Sequence, residues 1–384
     1  MSRSQVRLIT MARRTALYES HLAAGARMVD FSGWEMPLQY SSVREEHLAV
    51  RTSAGLFDVS HMGRFSILGD GIPPFLDRLL TGRLSDLGSA RARYTLMCDL
   101  EGGIVDDLVV YRDPEGGWHC VVNAGNRSTD LDWMRGHAPD PVSLIDRSDE
   151  VGLLALQGPS AAAILRAAGG DLEHLPYFAL ARAPVGSVPM LVSRTGYTGE
   201  DGFELFVPTP QLPRVWDVLI DHGAVPCGLA ARDVCRLEAG LRLHGSDMGR
   251  DTDPLEVGLG WTVKLDKPDD FVGRSALERK RREGPRREMV GLLGLGRSIP
   301  RHGAGVGGEP PLGLVTSGTY SFWLNRGIGM ALVQVGSTRV GDLISMDVRG
   351  VPGQVEVASL PLYRGSVGSL SGGAASRPSK NSSA

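Results

Sequence analysis

The sequence predicts an α+β protein built mainly of antiparallel sheet in two to three domains, on three observations. Strand-like runs follow one another at residues 94–98, 104–112 and 118–123, joined by Asp-Leu-Glu-Gly-Gly and Asp-Pro-Glu-Gly-Gly, both good hairpin turns. A charged segment at 278–288 divides the chain from a glycine-rich β pattern that runs to Tyr363, as a linker into a separate all-β domain would. The length of 384 residues exceeds that of one ordinary domain.

Residues 15–26 read as a short helix closed by Gly25, and 29–40 as extended chain with two aromatics near Gly33. Ser42 and Glu45 form a capping box for a helix to about Arg51. Residues 56–68 are strand-like, broken by Asp58 and Gly63, and 72–80 form a short helix. After the meander come a helix at 127–134, a proline-containing loop, a strand at 153–156 and a helix behind Gln157-Gly158-Pro159. Strands at 188–193 and 203–207 flank the loop 194–202, and helices follow at 211–222 and 229–243. The second of these places Val234, Leu237 and Leu241 on one stripe, with Arg232 and Arg236 a turn apart. Beyond Gly365, serine, glycine and alanine dominate, and that tail is expected to be disordered.

Hydrophobic residues make up 42% of the chain and charged residues 22%, as in globular proteins. A net charge of −3 gives no general attraction to nucleic acid or to an anionic membrane, so an anionic ligand must be held locally. No apolar run approaches the ~20 residues of a membrane span. Cys98, Cys120, Cys227 and Cys235 are spread without a Cys-x-x-Cys pair, which suits reduced thiols in the cytoplasm. The acid-free start before Glu19 carries Arg3, Arg7, Arg13 and Arg14. It leaves open a transit peptide to the mitochondrial matrix, a flexible extension or a start at Met11. No histidine joins a His-Glu-x-x-His or Cys/His cluster, so no metal centre is expected. Residues 291–298 fit a phosphate loop and 303–308 a dinucleotide fingerprint, but prolines follow where a helix must begin, which rules against both.

The stretch 102–111, Gly-Gly-Ile-Val-Asp-Asp-Leu-Val-Val-Tyr, sets two carboxylates inside an apolar strand. Side chains alternate along a strand, so Ile104, Asp106, Leu108 and Val110 are expected on one face and Val105, Asp107, Val109 and Tyr111 on the other. A carboxylate among such neighbours needs a partner or carries a raised pKa, as acid/base and ligand-orienting groups do. The same residues also fit an edge-strand aspartate facing water beside one that caps a turn. Residues 193–204 combine Gly196, Gly199 and Gly202, which permit close backbone approach, with Arg194, Tyr197, Glu200, Asp201 and Glu204. That is either a ligand site or a polar turn with solvated charges. Ser60 and His61, adjacent and pointing apart, are expected to be structural.

Together the stretches FSGWEMPLQY (31–40), LFDVSHMG (56–63), GGIVDDLVVY (102–111), VVNAGN (121–126), LALQGP (154–159), SRTGYTGEDGFEL (193–205), GLAARDVCRLEAGLRLHGSDM (228–248), DPLEVGLGW (253–261), VTSGT (315–319) and LYRGSV (362–367) resemble the aminomethyltransferase, or T-protein, family of the glycine cleavage system. The resemblance implies a three-domain cloverleaf of mainly antiparallel sheets with flanking helices and a C-terminal all-β domain. Its parts would be a flexible extension at 1–11, a first domain at 12–61 plus 146–277 and an inserted antiparallel domain at 62–145. A linker at 278–288, a β domain at 289–367 and a disordered tail at 368–384 would follow.

The implied reaction carries an aminomethyl-derived one-carbon unit from the dihydrolipoyl arm of lipoylated H-protein to tetrahydrofolate, releasing ammonia and forming methylenetetrahydrofolate in glycine breakdown. No metal, nucleic acid or membrane enters it. On the family pattern Asp107 is the catalytic carboxylate, and Glu204, Arg232, Asn123, Tyr94, Tyr197, Met62, Val121 and Arg364 contact the folate. A pterin presents an amide N–H beside an amino group, a two-donor edge that Glu204 can accept, while Tyr94 and Tyr197 offer flat faces. Asp106, on the opposite face of the strand, is expected to act through stability alone. The chain departs from the pattern at Gly82-Arg83 where Asn-Asp is frequent, at Phe322-Trp323 where Pro-Thr is common, and at His244 for a usual Tyr. A related folate-dependent demethylase is one alternative. A non-catalytic folate-binding maintenance protein is the other, and carries Lys-Gly-Cys-Tyr where this chain reads Arg194-Thr195-Gly196-Tyr197.

Overall fold

The structure, a computed structural model, describes residues 12–348 and 350–366, so the extension expected at 1–11 and the tail at 368–384 lie outside the described residues. The fold is α+β with mainly antiparallel sheets. A six-stranded sheet runs, in spatial order, Leu180–Val185, Val188–Ser193, Gly202–Pro208, Val151–Gln157, Gly55–Asp58 and Val225–Pro226. Within it Leu154 lies opposite Asp58 and Gln157 opposite Gly55. Between those two strands the chain builds a five-stranded sheet, ordered Arg91–Cys98, Ile104–Arg112, Trp118–Val122, Gly63–Leu68 and Ser143–Asp146. Its first three strands are the expected meander. A closed barrel of Arg287–Gly294, Arg326–Gln334, Gly313–Ser321, Gly305–Val306, Leu343–Val348 and Val351–Ala358 ends the fold.

Period-two alternation gives the six-stranded sheet two buried faces. Phe203, Leu205 and Val207 turn to the helices Ala161–Ala167 and Leu212–Asp221, meeting Leu165, Val215 and Trp216. Phe57, Leu153 and Ala155 turn the other way and meet Ala92, Tyr111 and Val121 of the five-stranded sheet. The far face of that second sheet, with Phe65, Leu108 and Val110, packs under the helices Ile72–Leu79 and Arg127–His137. A seam between the two sheets results, and residues out of phase with the helix-covered cores face it.

Several elements differ from expectation for local reasons. Residues 29–40 are a hairpin of Arg27–Phe31 and Trp34–Gln39, turned by Ser32 and Gly33 at φ 52° and 79°. The helix expected at 229–243 stops at Glu238, because Gly240 takes φ 66° and the Leu241 N–H turns back to the Arg236 carbonyl at 2.9 Å. The stretch 278–288 is mostly ordered structure, the helix Arg274–Glu283 and then strand from Arg287. Buried Ala276 and Leu277 anchor that helix over the Gly102 turn, where a Cβ on Gly102 would come within 3.1 Å of Leu277. Its charges mask a stripe too short to read as periodicity.

Helix, loop and barrel meet at buried Arg51 on the helix Val43–Thr52, whose N-cap Ser42 accepts the Glu45 N–H at 3.1 Å as expected. Its guanidinium donates to Glu238 at 2.5 and 2.9 Å, to Glu200 at 3.0 Å and to the Thr198 carbonyl at 2.9 Å. Glu238 in turn accepts from Ser321 of the barrel. Substituting one partner of such a buried cluster strands the others without their counter-charge. Arg51→Met should lower stability by about 3–5 kcal/mol, read as an earlier urea midpoint, whereas a surface change such as Arg13→Met should cost at most about 1 kcal/mol.

Candidate active site

Asp106 and Asp107 sit on the Ile104–Arg112 strand, where pairing with the neighbouring strand slips: Met97 faces Asp106 but Cys98 faces Ile104. Val105 is therefore an extra residue, and a bulge of this kind re-aims side chains. Val105 joins Leu108 and Val110 in the helix-covered core, while Ile104 packs into a different cluster with Leu96 and Val257. The expected alternation holds from Asp107 to Tyr111 and fails before it. The two carboxylates also meet, contrary to the expectation of separate roles. The Asn123 side-chain amide donates to Asp106 Oδ1 and to Asp107 Oδ1, both at 2.8 Å. Asp106, fully buried, takes further bonds from the Asn123 N–H at 3.2 Å and from Asn126 Nδ2 at 2.8 Å.

Asp107 is half-buried, and the Tyr94 hydroxyl stands near enough to favour its ionised form. Burial, then the charge of Asp106, pushes its pKa up from 3.8 to about 7, against the bonds from Asn123 and Tyr94. The Tyr94 ring stacks on Trp261 with centroids 6.0 Å apart, and Trp261 is 62% exposed. Beside them opens a cavity of about 410 Å³ rimmed by Arg83, Arg93 and Lys264.

Across the seam Glu204 accepts from Thr195 Oγ1 at 2.5 Å and from the Tyr111 hydroxyl at 3.2 Å, both on Oε2. Arg232 lies 4.8 Å over the Tyr197 ring, and its Nη1 is buried with no partner among the described residues. Burial lowers the Arg232 pKa while Glu204 and Tyr197 raise it, so the guanidinium sits near both. Tyr197 donates to the Arg242 carbonyl, and Arg242 in turn lies in the field of Tyr94 and Tyr197. A cationic donor left unpaired in a buried place is costly unless a ligand meets it.

Of the expected site residues, Asn123 bonds Asp107 with Tyr94 beside them, and Tyr197, Arg232 and Glu204 form the opposite wall. Val121 and Met62 lie in the seam core between them. Arg364 is exposed, while its neighbours Tyr363 and Ser366 reach inward to Glu200 at 2.8 Å each. Ser60 is structural as expected, exchanging bonds with the Leu153 backbone at 3.0 and 3.2 Å. His61 is buried, and burial holds its pKa down to about 4.

Asn126, Asp130, Trp261, Arg242, Thr195 and Tyr111 join the site without being candidates from sequence; of these Tyr111 has a usable signal, since its spacing puts it on the Asp107 face. The departures are absorbed locally. A Cβ at Gly82 would come within 2.8 Å of Thr95, and Arg83 pairs with Asp266 at 3.0 Å. His244 Nδ1 accepts from Asn126 at 2.9 Å, Phe322 lies 6.0 Å from His47, and Trp323 meets Tyr363 edge-on at 5.8 Å.

Residues 17–267 match the GCVT N-terminal domain family and residues 287–364 the glycine cleavage T-protein C-terminal barrel domain. An aminomethyltransferase of Bacillus pumilus (strain SAFR-032) is 43% identical, across 92% of this chain and 99% of that relative. One from Rubrobacter xylanophilus is 47% identical, across 94% and 97%. The crystal structure of glycine cleavage system aminomethyltransferase T from Bartonella henselae has a TM-score of 0.86 to this fold. Its identity is 35%, over 92% of this chain and 98% of that one.

The raised Asp107 pKa has a consequence for stability. Below the unfolded value near 3.8 both states are protonated, and between there and about 7 only the unfolded chain ionises, so the contribution of Asp107 falls as pH rises through that window. Above it both states are ionised and the penalty is constant. Asp107→Asn should therefore raise the melting temperature relative to the parent at pH 8 and lose that advantage at pH 4, in scanning calorimetry at both pH values.

Proposed function

The chain belongs to the glycine cleavage T-protein family of aminomethyltransferases, and on that premise we propose that it passes an aminomethyl-derived one-carbon unit from the dihydrolipoyl arm of H-protein to tetrahydrofolate. Ammonia leaves and methylenetetrahydrofolate forms. The observation that carries this reading is Asp107, a carboxylate of raised proton affinity, facing across the seam a wall in which a buried guanidinium nitrogen, Arg232 Nη1, has no partner among the described residues.

The donor set fits a reduced folate. Glu204 Oε2 is occupied by Thr195 and Tyr111, while Oε1 accepts nothing among the described residues and is open to the donors of a pterin edge. Arg232 Nη1 suits a carbonyl or carboxylate oxygen, Tyr94 and Tyr197 supply flat faces, and Met62 and Val121 supply apolar contact. Arg364 would act at the rim. Tetrahydrofolate, when bound, supplies the two amines that take up the carbon.

Asp107 then has three tasks: to orient the attacking amine, to stabilise positive charge as it develops and to accept the proton lost at ring closure. A pKa of about 7 lies where a general base works best at neutral pH, because it is partly ionised and still basic. The Asn123 amide orients the carboxylate, and the Tyr94 hydroxyl beside it favours the ionised form. Partial burial in the seam lowers the local dielectric and so strengthens each of these interactions.

Ammonia release from aminomethyl-loaded H-protein, measured with and without tetrahydrofolate, tests the reaction; release that ignores the folate would exclude it. Asp107→Asn should lower single-turnover rate roughly 10²–10⁴-fold with folate affinity little changed. Glu204→Gln should instead weaken folate binding by about 1–3 kcal/mol, because an amide sets a donor against a donor. Calorimetric titration that finds affinity unaltered would remove Glu204 from the contact.

A further inference from the structure

We propose that Asp130 is held as a neutral carboxylic acid and acts as the positioning residue of the aspartate pair, donating a hydrogen bond to Asp106 so that Asp106 can fix Asn123 against Asp107. Asp130 lies on the helix Arg127–His137 and is fully buried. Neither of its carboxyl oxygens meets a donor among the described residues, yet the group is in hydrogen-bond contact with Asp106. Two touching carboxyl groups in a buried place share a proton, because two anions there would repel with little screening. The donors decide which one keeps it. Asp106 receives three N–H groups, from the Asn123 backbone, the Asn123 side chain and the Asn126 side chain, and Asp130 receives none. The anion therefore belongs on Asp106 and the proton on Asp130.

The surrounding charges agree. Asp130 faces Asp106 and Asp107 from the strand, the Cys120 thiol from the next strand, and Arg250 as the cation. Asp106 also has His244 Nδ1 at 3.8 Å, but that nitrogen accepts from Asn126 and so carries no proton. Burial, the bond to Asp106 and the two aspartate charges push the Asp130 pKa up to about 10. An ionised Asp130 would make three clustered carboxylates with one peripheral arginine. The neutral acid instead links the helix to Asp106, then to the Asn123 amide, then to Asp107. In that chain Asp130 touches no reactant; it sets where Asp107 stands.

This inference rests on Asp107 being the base only for its kinetic arm, and an infrared arm is independent of the reaction. The full-length protein at neutral and mildly alkaline pH should show the carbonyl stretch of a protonated carboxylic acid that is absent from Asp130→Asn. In single-turnover kinetics Asp130→Leu, which removes the donor, should lose roughly 10–100-fold in rate with tetrahydrofolate affinity unchanged, the cost of a slightly misplaced base. Asp130→Asn keeps an N–H donor and should recover most of that loss, with the acid limb of its pH profile unmoved. The proposal fails if no such band exists. It fails equally if the acid limb of Asp130→Asn drops by about one unit or more, which would mean that an anion had been removed beside Asp107. Should Asp130→Leu not fold, the infrared difference and the Asp130→Asn profile decide alone.

Discussion

One neutral amide serving two carboxylates sets the character of this centre. Asn123 Nδ2 has two hydrogens and gives one each to Asp106 and Asp107, so it orients both groups and neutralises neither. A lysine or arginine in its place would hold both aspartates ionised at any physiological pH. The amide instead leaves their repulsion in force, and that repulsion combines with burial to lift the proton affinity of the more accessible member. The surroundings preserve this arrangement: the bulge at Val105 lets consecutive residues approach one amide, and the neutral Tyr94 hydroxyl lies near the outer carboxylate without adding charge.

The seam explains how distant parts of the chain come to face that centre. Two sheets, each alternating apolar and functional side chains, turn one face toward each other, with Val50, Ala231 and Cys235 of two helices closing the same core. Glu204 opposes Ala155 and Ser193 in one sheet, and Asp107 opposes Leu96 in the other. Since Tyr111 spans the gap to Glu204, the distance between sheets is fixed by a polar contact as well as by packing. Polar groups that would be costly in a single core are thus satisfied across two.

Much of this was legible in the chain. Turn chemistry around Gly102 and Gly116 gave the meander, the Ser42 cap was visible, and motif order pointed to the residues of both walls. The bulge was not, because no residue type marks it: Val105 suits a regular strand as well as an irregular one. Asp130 was hidden among Arg127, Ser128, Thr129 and Asp132, where an acid on a helix ordinarily faces water. The strand Leu180–Val185 carries Arg182 and Pro184 and shows no strand pattern of its own; its place is set by pairing with Val188–Ser193. Sequence pattern reports which face a residue shares with its neighbours, and it is silent on partners supplied from elsewhere in the fold.

The loop that carries Tyr197 is pinned at Glu200 from two directions. Arg51 reaches it from a helix laid down early, while Tyr363 and Ser366 reach it from about the last residues described. On the ribosome these partners emerge far apart in time, 149 positions before Glu200 for Arg51 and 163 after it for Tyr363. A nascent chain can therefore fold both sheets and set Asp107 in place while one wall of its pocket still lacks an anchor. Full anchoring of that wall therefore waits until the chain has been synthesised through the barrel.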